Sequence, residues 1–187
     1  HHAVVRQGKL DHYSVIDVQK PALAFLHDYY LTENYLVFPD LSLRFDPGQM
    51  FGPEGSPMVF DPDYPLRWGV IRRDHSDGDP VRWFTTGQCG HLWHVVNGWE
   101  EAREDGGTDI VVFAPVFRGY PSNIPIHNPQ EPHTAFTKWR LNLDTGEVTE
   151  DRVLLDHFYE RLSFNTDWLG RPNRFAYLLD EQKEGMM

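Results

Sequence analysis

Along most of the chain, apolar and polar residues alternate with a period of two in short runs, broken repeatedly by proline, glycine and aspartate. This is the pattern of half-buried strands joined by turns, not of long amphipathic helices. Residues 14–18 and 22–26 read as short strands around a Lys20-Pro21 turn. Residues 35–38 read as a strand that Pro39-Asp40 ends. Leu41, Leu43 and Phe45 alternate with polar partners as one buried face would. Residues 67–72 and 81–86 predict a hairpin across a charged turn at 74–80. Residues 108–117 are apolar through their centre and predict a strand buried on both faces. Residues 134–143 and 148–155 flank Asp144-Thr145-Gly146, a hairpin turn. Residues 156–164 fit helix and extended chain equally, and residues 174–179 predict the last strand. No run supports a helix longer than two turns.

Two stretches organise the rest. Residues 83–101 read as an aromatic strand, a Gly87-Gln88-Cys89-Gly90 turn and a second strand-like run carrying His94. Residues 27–38 likewise set a histidine, His27, at the head of a β-like run. Two long loops interrupt the strands. The first, 46–65, holds five prolines and three glycines, and Met50, Phe51, Met58 and Phe60 should pack it over a neighbouring surface. The second, 119–132, is rich in proline and asparagine. Many short antiparallel strands of this kind make a sandwich, a barrel or a propeller. No sequence repeat chooses among them.

Composition sharpens this picture in a few places. Aromatic residues make up 14% of the 187 positions, which favours strands. The net charge of −11, with no Lys/Arg cluster, excludes a nucleic-acid electrostatic footprint. No apolar run approaches the ~18 residues of a bilayer span, and no signal-peptide pattern is visible at the start. The single cysteine, Cys89, excludes an intramolecular disulfide and a cysteine-based zinc site, and is compatible with a reducing compartment.

Of the ten histidines, His12, His75 and His157 lie among charged residues and fit a solvated surface. His127 and His133 fall in the second long loop. His91 sits three residues before His94, on the opposite face if the run is a strand. The His1-His2 pair is given no role. His27 and His94 differ in context: each follows an apolar or aromatic residue beside a polar turn, where a β architecture presents ligands. Neutral imidazoles there suit Fe, Cu, Zn or Ni. Ser122 and Ser163 lack a nucleophile elbow, Cys89 reads as a turn filler, and the pairs Glu100/Glu101 and Asp61/Asp63 read as solvated surface.

These residues carry a resemblance. His27-Asp28 followed by Thr32-Glu33-Asn34-Tyr35 resembles the H-D-x-x-x-T-E-N-Y motif of carotenoid cleavage oxygenases. Arg67-Trp68-Gly69-Val70 with Arg72 is similar to their R-[FW]-G-V-x-x-R strand. Trp83-Phe84, then His94, Asn97, Trp99 and Glu100, resemble the [FY]-H-x-x-N-[AG]-[WY]-E signature. Phe136 to Asp156, with the run Thr137 through Val148, resembles the hairpin that follows. Glu160, Asn165, Gly170-Arg171 and Asn173 to Tyr177 are similar to the later E-x-P-x-x-N and G-R-x-x-R-Y-x-Y segment. Glu160-Arg161-Leu162 departs from E-x-P, and Asn97-Gly98-Trp99 carries glycine at the small position. The motifs are collinear over roughly residues 20 to 180.

The resemblance implies an all-β chain, residues 1–187, forming about three blades of a seven-bladed β-propeller with long loops. It also implies Fe(II) held by four histidines, with His27 as the second ligand and His94 as the third. The settings of the first and fourth ligands are not found in this chain. Glu160 is implied as a carboxylate that hydrogen-bonds a ligand histidine, here assigned to His94. The implied reaction is dioxygen-dependent cleavage of a C=C bond in a carotenoid or apocarotenoid to two carbonyl products. Its partners are a lipophilic polyene and dioxygen, with peripheral membrane contact for the full-length enzyme and self-association for the isolated chain. Within the superfamily, a stilbene-cleaving dioxygenase and a retinyl-ester isomerohydrolase are the alternatives. A non-enzymatic propeller fragment that binds lipophilic ligands is the alternative from another class.

Overall fold

The computed structural model describes residues 1–18, 23–53, 55–119, 134–157 and 159–180. In chain order the strands are β1 (His2–Arg6), β2 (Lys9–Ser14), β3 (Leu23–Ala24), β4 (Tyr30–Leu31), β5 (Tyr35–Asp40), β6 (Leu43–Phe45), β7 (Met58–Phe60) and β8 (Arg67–Arg72). They continue as β9 (Arg82–Thr85), β10 (Gly98–Ala102), β11 (Thr108–Phe117), β12 (Thr134–Asn142), β13 (Val148–Asp156), β14 (Tyr159–Phe164) and β15 (Ala176–Asp180). Among the described residues the only helical turns are short 3-10 segments at Pro47–Phe51 and Thr166–Trp168.

Two four-stranded sheets, β4-β5-β8-β9 and β10-β11-β12-β13, carry the fold. Each is antiparallel and runs in chain order from its first strand to its last, the up-and-down meander of a propeller blade. A three-stranded sheet, β3-β6-β7, takes β3 from before β4 and β6 and β7 from between β5 and β8, and the pairs β1-β2 and β14-β15 form sheets of their own. The main core joins the two large sheets. Trp68 of β8 meets Trp139 of β12 with ring centroids 5.2 Å apart at 62°. Around them Val70, Phe84, Ile110, Val112 and Leu141 are fully or almost fully buried. Each large aromatic buried in this way contributes packing beyond its area, on the order of 1 kcal/mol per edge-on aromatic pair.

The structure follows the alternation where a strand has one dry face, and departs from it in five places. Pro39 and Asp40 do not end β5; they pair with Trp68 and Arg67 of β8. The neighbour on the other side, β4, pairs only with Leu36 and Val37, so the N–H that proline lacks has no ladder there to break. Residues 15–18 are not a strand: Ser14 ends β2 of the β1-β2 hairpin, and β3 keeps only two residues of 22–26. The Lys20-Pro21 turn lies outside the described residues, as does nearly all of loop 119–132 with His127 and His133. Loop 46–65 contains β7, which pairs with β6. Met58 and Phe60 pack on the core as expected, but Met50 is half-exposed and Phe51 stands 91% exposed. Of residues 156–164, Asp156 ends β13 and 159–164 form β14, so the described part is extended chain and not helix. Finally, residues 92–97 are not a strand; His91 makes an isolated bridge to Phe117 and regular pairing resumes only at Gly98.

His91 lies buried where the sequence placed it on one face of a strand. Its ring stacks on Phe117 at 4.8 Å and 15°, and Phe60 and Trp93 close over it edge-on. Burial pushes its imidazole down to about 4. The unfolded chain therefore takes up the proton near the ordinary 6.5 while the folded chain resists it. The resulting stability is fully present above about pH 6.5 and is lost as the pH falls towards 4, by about 3 kcal/mol in all. Chemical denaturation from pH 7 to 4 should show this loss. His91→Phe, which keeps the aromatic stack but cannot titrate, should flatten most of the slope.

Candidate metal centre

His27 lies on the segment leading into β4, and His94 on the segment leading into β10. β4 and β10 are the first strands of their sheets and lie against one another, so the two segments meet. Two hydrogen bonds lock them. His27 Nδ1 lies 2.9 Å from the Trp93 carbonyl oxygen, and the Val95 N–H donates to Asp28 Oδ2 at 3.0 Å. Each bond joins a neighbour of His94 to His27 or to the residue beside it. Residues 92–97 leave the regular ladder here: the Trp93 carbonyl and the Val95 N–H bond the His27-Asp28 dipeptide, while the Val96 N–H reaches the Phe113 carbonyl across the sheet.

The two rings stand 5.1 Å apart between centroids, nearly perpendicular at 87°. A carbonyl oxygen can only accept, so His27 carries its proton on Nδ1 and presents a lone pair at Nε2. His94 Nδ1 lies 2.6 Å from Glu160 Oε2. The carboxylate fixes the same tautomer there. Glu160 is itself buried, and its Oε2 also accepts from the Arg161 N–H at 2.9 Å. Arg161 adopts a left-handed φ of 52°, and the β14-β15 register shifts between Glu160 and Ser163. Such a bulge re-aims a side chain out of the regular pleat, and here it delivers the carboxylate to His94. Glu160 Oε1 is buried with no hydrogen-bond partner among the described residues.

The donor set fits a borderline divalent metal: two imidazoles in edge-to-face contact near a buried carboxylate, each with Nδ1 engaged and with no bond to Nε2 among the described residues. The face they present is partly open, His27 exposed and His94 half-exposed, which leaves room for further ligands and for substrate.

The remaining motif residues build the frame. Asn97 is buried and holds the β14-β15 connection. Its Nδ2 lies 3.0 Å from the carbonyls of Trp168 and Arg171 and 2.8 Å from Asn173 Oδ1, while its Oδ1 accepts from Gly98 and Gly170 N–H at 3.0 Å each. Glu100, read from sequence as solvated, is an anchor. Its Oε1 accepts from Thr32 Oγ1 at 2.6 Å and the Asn34 N–H at 2.7 Å, and its Oε2 from Asn34 Nδ2 at 2.8 Å. The two conspicuous polar motifs therefore bond each other across the boundary between blades. Their only sequence signal was the motif itself, because the partners lie 66 residues apart.

A family model described as RPE65, retinal pigment epithelial membrane protein, matches residues 1–186, and the chain belongs to this family of carotenoid cleavage oxygenases. It is 35% identical over 163 residues to the chloroplastic 9-cis-epoxycarotenoid dioxygenase NCED1 of Oryza sativa subsp. japonica, covering 87% of this chain and 24% of that protein. It is 33% identical over 165 residues to the chromoplastic zeaxanthin 7,8(7',8')-cleavage dioxygenase of Crocus sativus, covering 83% of this chain and 40% of that one. Among solved structures, the lignostilbene dioxygenase of Pseudomonas brassicacearum superposes with a TM-score of 0.72 at 28% identity, over 92% of this chain and 36% of that one. The chain is all-β and forms part of a β-propeller, and it spans well under half the length of these relatives.

Proposed function

We propose that residues 1–187 are one contiguous part of a propeller domain and supply His27 and His94 to an Fe(II) centre. Glu160 orients His94 there. The protein so built cleaves a C=C bond of a carotenoid or apocarotenoid with dioxygen, giving two carbonyl products. The observation that carries this is the facing pair of imidazoles, 5.1 Å apart, each held at Nδ1 by a different acceptor. The names of the similar dioxygenases from rice and crocus support the substrate class.

Iron, when bound, supplies the activation of dioxygen that no side chain here provides. The chain's own work is positional. Trp93 O and Glu160 Oε2 engage both Nδ1 atoms, which leaves Nε2 of each ring as the donor for a cation. Asp28 and Asn97 hold the His94 segment from either side, and Trp93, which packs edge-on against His27 at 5.7 Å, places an apolar wall next to the centre.

Iron analysis and product mass spectrometry on the polypeptide that carries residues 1–187 test the reading. Iron content near one per polypeptide, with carbonyl products from a C40 or apocarotenoid polyene, is expected, and both should vanish in His27→Ala. Unchanged iron and turnover in that variant would sink it. The likeness to the lignostilbene dioxygenase favours a second reading, cleavage of a hydroxystilbene to two aromatic aldehydes. The same assay separates the two by product mass.

A further inference from the structure

A second group of histidines lies elsewhere in the fold. Among the described residues, His2 of β1, His12 of β2 and His75 of the β8-β9 turn each place a ring nitrogen within 4.8 Å of the others. Their ring centroids are 5.4 Å apart for His2 and His12, 5.1 Å for His2 and His75, and 5.5 Å for His12 and His75. Sequence context put His75 on a solvated surface. It is buried instead, with 2% of its surface exposed, because β1-β2 folds over the β8-β9 turn.

The hydrogen bonds show which nitrogens are available. His75 Nδ1 lies 2.7 Å from the Arg72 carbonyl, an acceptor only, so its proton is on Nδ1 and its Nε2 carries a lone pair. That Nε2 is 2.6 Å from Ser14 Oγ, which is also 3.1 Å from His12 Nε2. Two ring nitrogens thus converge on one buried hydroxyl. His2 is more than nine-tenths buried, and its Nδ1 has no hydrogen-bond partner among the described residues. Leaving such a group dry and unpaired is costly. A hairpin with Val5, Leu10 and Tyr13 largely exposed has little apolar burial to offset that.

We propose that His2, His12 and His75 form a structural binding site for a zinc-like divalent cation, with Ser14 Oγ or water as fourth donor, that fastens β1-β2 to the blade β4-β5-β8-β9. Three neutral imidazoles suit Zn²⁺. Burial first, then the neighbouring His75 and His12 and the Arg73 charge, push His2 below its ordinary value. The Arg73 charge opposes a cation there. Ligand nitrogens in a tetrahedral zinc site stand about 3.3 Å apart, so the rings must draw in. Half-exposed His12 has the freedom to do so. The only other polar tie described between hairpin and turn region, besides Ser14 to His75, is the Val15 N–H donating to Asp77 Oδ1 at 2.7 Å. A shared metal ion would add a third.

Zinc binding is measured in the chain carrying His27→Ala and His94→Ala, which removes the other pair of imidazoles. Equilibrium dialysis against Zn²⁺ alone should give one ion per chain, and thermal melting should shift upward with Zn²⁺. Adding His12→Gln should weaken binding at least about tenfold and abolish the shift, with the metal-free melting temperature unchanged. A Co²⁺ titration of the intact cluster gives a reading that needs no substitution within it: an intense visible d–d band reports a four-coordinate site. Absence of stoichiometric metal, or binding that survives His12→Gln and so belongs to His1-His2 alone, would overturn the proposal.

Discussion

Replacing Asn97 by alanine should destabilise the chain by on the order of 3–5 kcal/mol, more than any surface substitution in it. The side chain is buried and serves five partners from one amide group: three acceptors on Nδ2 and two N–H donors on Oδ1. Truncation strands the N–H of Gly98 and of Gly170 together with the carbonyls of Trp168 and Arg171. Each stranded group that water does not reach costs about 1–3 kcal/mol. Gly170 cannot move to find another partner. It sits at φ 73°, and its Cα position lies so close to the Leu31 carbonyl that a Cβ there would stand 2.8 Å from that oxygen. Asn97→Asp separates donation from bulk. It keeps both accepted bonds and the shape, but turns an anionic oxygen towards three acceptors, so it should cost at least as much as alanine. Urea denaturation monitored by tryptophan fluorescence reads both variants. Limited proteolysis should show new cleavage within residues 165–173, the segment Asn97 holds. If Asn97→Ala melts like the parent, the amide is not what joins the β14-β15 connection to the blade.

What the sequence made legible follows from where each strand's partners lie. β8-β9 and β12-β13 are hairpins whose turns and alternation are local, and β11 is apolar on both faces because it is covered on both. These were readable. β1-β2 was not, because Val5, Leu10 and Tyr13 face outward and its turn uses Gln7 and Gly8, both at positive φ, in place of the Asn-Gly pair that usually marks such a turn. The run through His94 reads as strand-like, but its hydrogen bonds go to His27, Asp28 and, across the sheet, to Phe113. Polar neighbours make both Glu100 and His75 read as solvated residues. Each is paired by an element more than 60 residues away. Local pattern shows which face of a strand is dry and cannot show which distant polar group will arrive. The motif resemblance supplied His27, His94 and Glu160 together, which neither periodicity nor composition could have done.

The same geometry predicts an asymmetry between the two imidazoles of the proposed iron centre. His94→Ala removes a ligand and should lower Fe(II) affinity by well over the 10–100-fold typical of losing a supporting residue. Glu160 is such a supporting residue, and its variants should be graded. In Glu160→Gln the amide oxygen can still accept from His94 Nδ1, so the tautomer survives while the negative charge that raises imidazole basicity is lost; a loss of about tenfold is expected. In Glu160→Ala both are lost, the ring is free to turn, and the loss should approach about 100-fold. His27 offers no comparable handle, because its Nδ1 is held by the backbone carbonyl of Trp93, which no substitution at that position deletes. Glutamine must also bury an NH2 where Glu160 Oε1 now has no described partner, which costs about 1–2 kcal/mol of stability. Affinity must therefore be compared on folded protein, with the melting curve of each variant recorded beside its iron titration. The ordering parent, then Gln, then Ala in iron affinity is the signature of a carboxylate acting through the ring it orients. Equal affinities in all three would mean that Glu160 holds β14 in place and does nothing for a metal at His94.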